Sequence, residues 1–416
     1  MAGRAPPATT ATIVDDDLIP ATVPRHLPVN FAYLQAVTSI YDNGDLTAIR
    51  AQTRRFVEQE VLPNGDAWED EGKVPRSVLQ KMGEIGFFGL RVPEDYGGVG
   101  FGALASVAFA EELGRSTYGG FSITALVHTD LAMPYLLNFG SDDQKKRWLP
   151  GMLTGETLTA IAVTEADAGS DVASIRTRAR PDGDGWRING SKMFITNGGT
   201  ADLVFVAART HADAKGSRAI SIFAVPRDTG GFSVSRALPK MGWHCSDTAE
   251  LSFADCWIPD DHLIGEQDRG FYYIMTNFQN ERLAIAAQAM GEASRALEFT
   301  VEHVRQRKAF GSPLFDKQVV RQRLAMLSAR LEAGRQLIHH AGWLMEQGED
   351  AVKEVSMVKA YVGELANEVL YACVQFHGGM GYIKETAVER LYRDVRIHSI
   401  GGGATEVMLD EIAKRL

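Results

Sequence analysis

The chain is short of cysteine: Cys245, Cys256 and Cys373 are the only three in 416 residues. They form no CxxC pair and no metal-ligand spacing. That excludes a disulfide scaffold and a zinc module, and it fits a reducing compartment. Basic residues are outnumbered by acidic ones, giving a net charge of −10, so there is no electrostatic footprint for nucleic acid. No apolar run reaches the ~18 residues of a membrane span. The first residues are rich in Ala, Thr and Pro and include Asp15, Asp16 and Asp17. A transit peptide would be Arg-rich and acid-poor, and a secretory signal would hold a continuous apolar stretch. Residues 1–35 are therefore expected to form a flexible tail on a cytoplasmic protein.

What is present suits a large soluble core, with 45% hydrophobic residues. The apolar period is helical over 36–157, where Leu46, Ile49, Phe56 and Val57 share spacing and Asn43 or Asp45 can cap. The stretch "PRSVLQKMGEIGFFGL" reads as a second helix opened by Pro75, and the Gly98-x-Gly100 pair after it reads as a turn. Over 158–265 short β-rich runs take over, and Asn189-Gly190 reads as a hairpin turn. From 266 to 416 long amphipathic helices return, with Leu283, Ala287, Met290, Ala293, Leu297, Val301 and Val304 on one stripe. The fold class expected is α+β, in α–β–α order.

Several stretches carry candidate chemistry, each with a plainer alternative. "IAVTEADAGSD" (161–171) can offer backbone N–H groups and the hydroxyls of Thr164 and Ser170 to a polar ligand, or be an ordinary turn. "KMFITNGG" (192–199) sets Phe194 and Thr196 at a strand end, for a planar ring or for burial. "RQRKAFGSPLFDKQ" (305–318) is a phosphate site or a solvated helix connection. "QFHGGMGY" (375–382) gathers glycines beside His377, for a ligand or for local packing. His339-His340 lacks a carboxylate or cysteine at ligand spacing, so no metal site is expected.

Taken together and in this order, these motifs, with "MGWHCSDTAELSFADCWIP" (241–259), resemble the acyl-CoA dehydrogenase family over residues 36–416. The resemblance implies an N-terminal helical domain, a central β-barrel-like domain and a C-terminal four-helix bundle. It implies FAD, an acyl-CoA substrate, a homotetramer or homodimer, and electron-transfer flavoprotein as acceptor. By the same resemblance Ile161, Val163, Thr164, Gly169 and Ser170 lie along the flavin, with Ser170 also near CoA. Phe194, Ile195 and Thr196 pack on or bond to its ring. Arg307, Phe310, Gln318, Gln375, Gly378 and Gly379 meet the adenosine diphosphate across a subunit interface. Ala404, Thr405 and Glu406 form a further flavin contact.

One departure concerns the base. Most of the family carries a catalytic glutamate in a pattern close to Tyr-Glu-Gly-Thr, and here that position is Gly402 in "SIGGGATEVM" (399–408). The isovaleryl- and long-chain-type members instead carry it in Glu-Arg-Leu on another helix. This chain has "NERL" (280–283), so Glu281 resembles the relocated base; the alternative is a helix-start glutamate set for the dipole. The resemblance implies that Glu281 takes the α proton, that the Gly402 N–H polarises the thioester carbonyl, and that Tyr272, Asn280 and Arg282 lie on the substrate side. It further suggests a medium, long or branched acyl chain of the citronellyl-CoA kind. Carrier-protein thioester dehydrogenation and a silent flavin-binding subunit are the alternatives.

Overall fold

The computed structural model describes residues 40–211 and 216–416; the expected tail, 1–35, lies outside them. The first helix, Gly44–Phe56, starts where the Asn43 side chain accepts from the Leu46 N–H at 2.9 Å. The run opened by Pro75 is helical only from Arg76 to Glu84, then turns at Gly86 into a short 3-10 segment, Phe87–Gly89. The Gly98-x-Gly100 pair lies in the loop between the short 3-10 segment Glu94–Tyr96 and the helix that starts at Ala103, with Gly100 at positive φ and no strand before it among the described residues. Helix Asp142–Thr154 opens on a reciprocal cap between Ser141 and Gln144.

Strands follow at Thr159. An eight-stranded, mainly antiparallel sheet runs in the order Phe232–Ala237, Thr248–Pro259, Gly185–Thr196, Arg178–Asp182, Leu203–Arg209, Ile220–Pro226, Leu263–Ile264, with Thr159–Ala162 parallel beside Leu203–Arg209. Side chains alternate between its faces. Leu203, Phe205 and Ala207 pack into the helical core. Val204, Val206 and Ala208 join a second core with Trp186, Ile188, Phe223, Leu251 and Phe253. Burial on both faces explains why these strands are continuous apolar runs.

Asn189-Gly190 is not a hairpin turn. It lies inside the Gly185–Thr196 strand, at a register shift against Thr248–Pro259, and the chain reverses instead between Asp182 and Gly185. A Cβ on Gly190 would sit 2.5 Å from Thr177 Oγ1, so close approach of a neighbouring strand excludes a side chain there.

The last part consists of three long helices, Gly270–Gln306, Gln318–Glu346 and Val352–His377, and two of nine residues, Ala387–Val395 and Thr405–Ala413. The wholly buried helix Ala103–Gly114 packs on Gly270–Gln306. Their backbones nearly touch, because a Cβ on Gly291 would lie 2.0 Å from the Glu111 carbonyl oxygen. This contact fixes the middle of the long helix, a little beyond "NERL", against the N-terminal helices. No helix among the described residues is long and apolar enough to cross a membrane.

Candidate active site

Glu281 sits about three turns into the Gly270–Gln306 helix. The segment after Ser399 folds back over it. A Cβ on Gly402 would lie 3.4 Å from Glu281 Oε1, 3.8 Å from Lys359 Cε and 2.6 Å from Ile285 Cδ1. Gly402 has φ +63° and Gly403 φ +100°, the left-handed region where glycine is at ease. The N–H groups of Ile400 and Gly401 both donate to the Ile397 carbonyl at 2.8 Å. That of Gly402 has no partner among the described residues, so a donor is free beside the carboxyl.

Burial governs the charges here. It raises the Glu281 carboxyl to about 7, against the opposing pull of Arg282 and Lys359. It lowers Lys359 to about 8 and also lowers the Arg282 guanidinium. Both members of the Glu281–Lys359 pair are thus moved toward their neutral forms, so desolvation outweighs their attraction. Burial also raises the Tyr135 phenol, with a further contribution from Glu281. A half-buried carboxyl near neutrality can take a proton from a weak carbon acid and release it again.

Asn280 accepts from Arg91 Nη1 at 2.9 Å and donates to Asn277 Oδ1 at 3.3 Å. It lines a cavity of about 110 Å³ walled by Phe87, Phe88, Leu90, Phe109 and Met133. At one side Ser106 and Thr129 each donate to Asp130 at 2.6 Å, and Arg91 lies 3.9 Å from it. The buried Arg282 crosses the Phe278 ring at 5.2 Å, and its Nε lies 3.3 Å from the Cβ position of Gly403. Tyr272 is apart from this group: it is exposed, with the Arg269 guanidinium 4.9 Å above its ring.

The two candidate ligand loops of the sheet are joined. The Met193 N–H donates to the Thr164 carbonyl at 2.9 Å. The fully buried Lys192 donates to the Val163 carbonyl at 2.9 Å and to Glu165 Oε1 at 2.7 Å. Glu165 in turn accepts from the Arg176 and Thr177 N–H groups. Ile161 and Thr196 are half-buried, Val163 and Ile195 are buried, and Ser170 is exposed. Phe194 stands 63% exposed at φ +61°, and nothing crowds Gly169. A large apolar ring held outward at a strand end, beside an open hydroxyl-bearing loop, fits a planar heteroaromatic group.

Arg307, Phe310, Gln318, Gln375, Gly378 and Gly379 are exposed at the other end of the long helix. His303 stacks on His377 at 4.4 Å, which brings the Arg307 helix end beside the Gln375–Gly379 turn; His377 Nδ1 also bonds the Cys373 carbonyl oxygen at 2.9 Å. Arg307 follows Glu281 by 26 residues, or about 39 Å of helix. Ala404 is half-buried, Thr405 donates to Glu364 at 2.8 Å, and Glu406 is exposed. Among the described residues no group of three or more His, Cys, Asp or Glu side chains can hold a metal.

Lys359, Arg91 and Asp130 are absent from the sequence-based candidates. Asp130 carried a signal, as a carboxylate inside the apolar run "ITALVHTDLAMPYLL". Lys359 carried a weaker one, a lysine on the apolar side of an amphipathic helix.

Three family models match in order: "Acyl-CoA dehydrogenase, N-terminal domain" over 43–156, "middle domain" over 160–256 and "C-terminal domain" over 268–416. The long-chain specific acyl-CoA dehydrogenase of Mus musculus is 40% identical over 88% of this chain and 85% of its own length. An acyl-CoA dehydrogenase from Geobacillus kaustophilus superposes with a TM-score of 0.87 at 41% identity, covering 91% of this chain and 99% of that one. Butyryl-CoA dehydrogenase from Megasphaera elsdenii gives 0.87 at 31% identity, covering 90% and 98%.

Proposed function

The chain belongs to the acyl-CoA dehydrogenase family of FAD-dependent oxidoreductases, and from that premise we propose that it dehydrogenates a medium-to-long or branched acyl-CoA at Cα–Cβ, with Glu281 as the base. The observation that carries this reading is the Glu281 carboxyl facing Gly402, whose N–H is free. The thioester carbonyl accepts from that N–H, which stabilises the charge developing on oxygen as the α proton leaves. The proton passes to a Glu281 carboxylate oxygen. The electron pair of the broken Cα–H bond becomes the second bond of the enoyl product. FAD, when bound, supplies the acceptor for the hydride lost from Cβ.

Thr164, Gly169, Ser170, Phe194 and Thr196 would hold the flavin on the sheet side. Arg307, Phe310, Gln318 and the Gln375–Gly379 turn would serve a second copy's cofactor, because ~39 Å of helix separates them from Glu281. A homotetramer or homodimer is the assembly that this reading requires. The cavity beside Asn280, with its aromatic and aliphatic wall on one side and Asp130 on the other, would take part of the acyl group. The branched alternative rests on the resemblance carried by "NERL" and "SIGGGATEVM", and the mouse relative's long-chain name supports a longer chain. Electron-transfer flavoprotein is the proposed acceptor.

The test is anaerobic bleaching of the flavin against straight and branched acyl-CoAs, with Glu281→Gln beside the wild type. Bleaching by one class, lost in the variant, is expected. Bleaching by no thioester, with FAD present, would sink the reading.

A further inference from the structure

A lysine lies behind the glycine segment with an environment that packing alone does not require. Lys359 is 1% exposed. Its ammonium donates to the His398 carbonyl at 2.5 Å and the Gly403 carbonyl at 3.0 Å. Its hydrogen-bond partners among the described residues are these two carbonyls, with no carboxylate at ion-pair distance. Burying an ammonium this way forfeits its hydration, which two neutral acceptors only partly replace. A methionine would fill similar space without that cost.

The two carbonyls bracket the glycine segment. Lys359, Gly363 and Asn367 follow at intervals of four on one face of the Val352–His377 helix. A Cβ on Gly363 would lie 2.8 Å from the His398 carbonyl oxygen, so the backbones are pressed together. Asn367 Nδ2 donates to the Val395 carbonyl at 3.2 Å and to Ser399 Oγ at 3.1 Å. From the other side, His398 Nε2 meets Glu292 Oε2 at 2.7 Å. Glu292 lies three turns beyond Glu281 on the same helix face. The segment is thus fastened to both helices up to His398. Beyond it, among the described residues, Lys359 is the side chain that hydrogen-bonds to the glycine segment itself.

We propose that Lys359 is a positioning residue for the dehydrogenation: it ties the Gly401–Gly403 segment to the Val352–His377 helix and so holds the Gly402 N–H beside the Glu281 carboxylate. This rests on the proposed role of Glu281. The same ammonium acts on the base through its charge. The groups facing Glu281 are Arg282 from its own helix, Lys359 from Val352–His377 and Tyr135 from Met133–Phe139. Those facing Lys359 are Glu281, Arg282 and Glu364. Arg282 in turn faces Glu411 and Arg415. Removing the Lys359 charge takes a cation from Glu281, so the base holds its proton to higher pH.

The test measures kcat and KM against pH for wild type, Lys359→Met and Lys359→Gln holoenzymes, with FAD content and thermal melting as controls and Glu281→Gln alongside. In Lys359→Met, kcat is expected to fall about 100-fold, the scale of a lost oxyanion donor. KM should stay within about threefold, and the acid limb of the kcat profile should move to higher pH by about one unit. In Lys359→Gln, which keeps a donor but loses the charge, the limb should move while more of kcat survives. A merely structural lysine would lower the amount of holoenzyme and leave the limb in place. An unmoved limb in either neutral variant, or less than a fivefold loss of kcat in Lys359→Met, overturns the proposal. If Lys359→Met does not retain FAD, the limb in Lys359→Gln decides. Activity surviving in Glu281→Gln would overturn the assignment of the base instead.

Discussion

Glu281 and Gly402 are 121 positions apart in the chain, yet a Cβ on Gly402 would lie 3.4 Å from Glu281 Oε1. The position where most relatives are expected to carry their glutamate therefore borders the carboxyl that stands in for it. On the proposed reading the base stands on another helix, with its carboxyl beside the position that Gly402 occupies.

Glu281→Gln should lower turnover by 10³-fold or more, about the contribution of a positioned general base. FAD content should be unchanged, since the residue lies on the acyl side. Single-turnover flavin reduction checks it, and near-wild-type rates would remove Glu281 as the base.

Gly402→Glu should not behave as a restored family enzyme. The new side chain would begin 2.6 Å from Ile285 Cδ1 at φ +63°, and would set a second carboxylate against Glu281. An L-residue in that conformation costs about 1 kcal/mol before any clash. Rates with branched thioesters should fall more than with straight ones, and equal rates would count against a pocket shaped by the missing side chain.

Activity and stability should depend on pH in opposite directions. Glu281 must be ionised to act, so kcat should rise as pH passes about 7. A carboxyl raised by burial holds its proton more tightly folded than unfolded, so stability falls as pH climbs from about 4.5 to about 7. Glu281→Gln lacks this penalty. It should melt higher than wild type at pH 8, by at most about 3 kcal/mol of stability, with little difference near pH 4.5. Melting curves at the two pH values decide it.

Lys192→Met should weaken cofactor retention without touching the base. The buried Lys192–Glu165 pair ties the loop after Val163 to the strand that carries Phe194. Removing one partner leaves Glu165 buried without its cation, a loss of roughly 3–5 kcal/mol. The FAD-to-protein ratio after gel filtration should drop, and a full complement would show that this pair does not support the flavin loops.

Much of this was legible in one dimension. Apolar spacing of three to four marked the helices, β-rich runs marked the sheet, and "NERL" with "SIGGGATEVM" singled out Glu281 and Gly402. Local signals failed where a distant segment decided. Asn189-Gly190 has the composition of a turn, but Thr177 from the neighbouring strand is what excludes a Cβ at Gly190. The pattern that opens at Pro75 runs on past Glu84, but the helix stops there and Gly86 turns the chain.

By itself the sequence determined the order of helices and strands, the family, and the residues able to carry a proton or face a ring. These depend on side-chain type and short-range spacing. Only the tertiary structure decided that Gly402 borders Glu281, that its N–H is left unpaired, and that Lys359 holds the glycine segment from behind. Those relations join three elements far apart in the chain, and burial, which sets the charge of each group, exists only once the helices have packed.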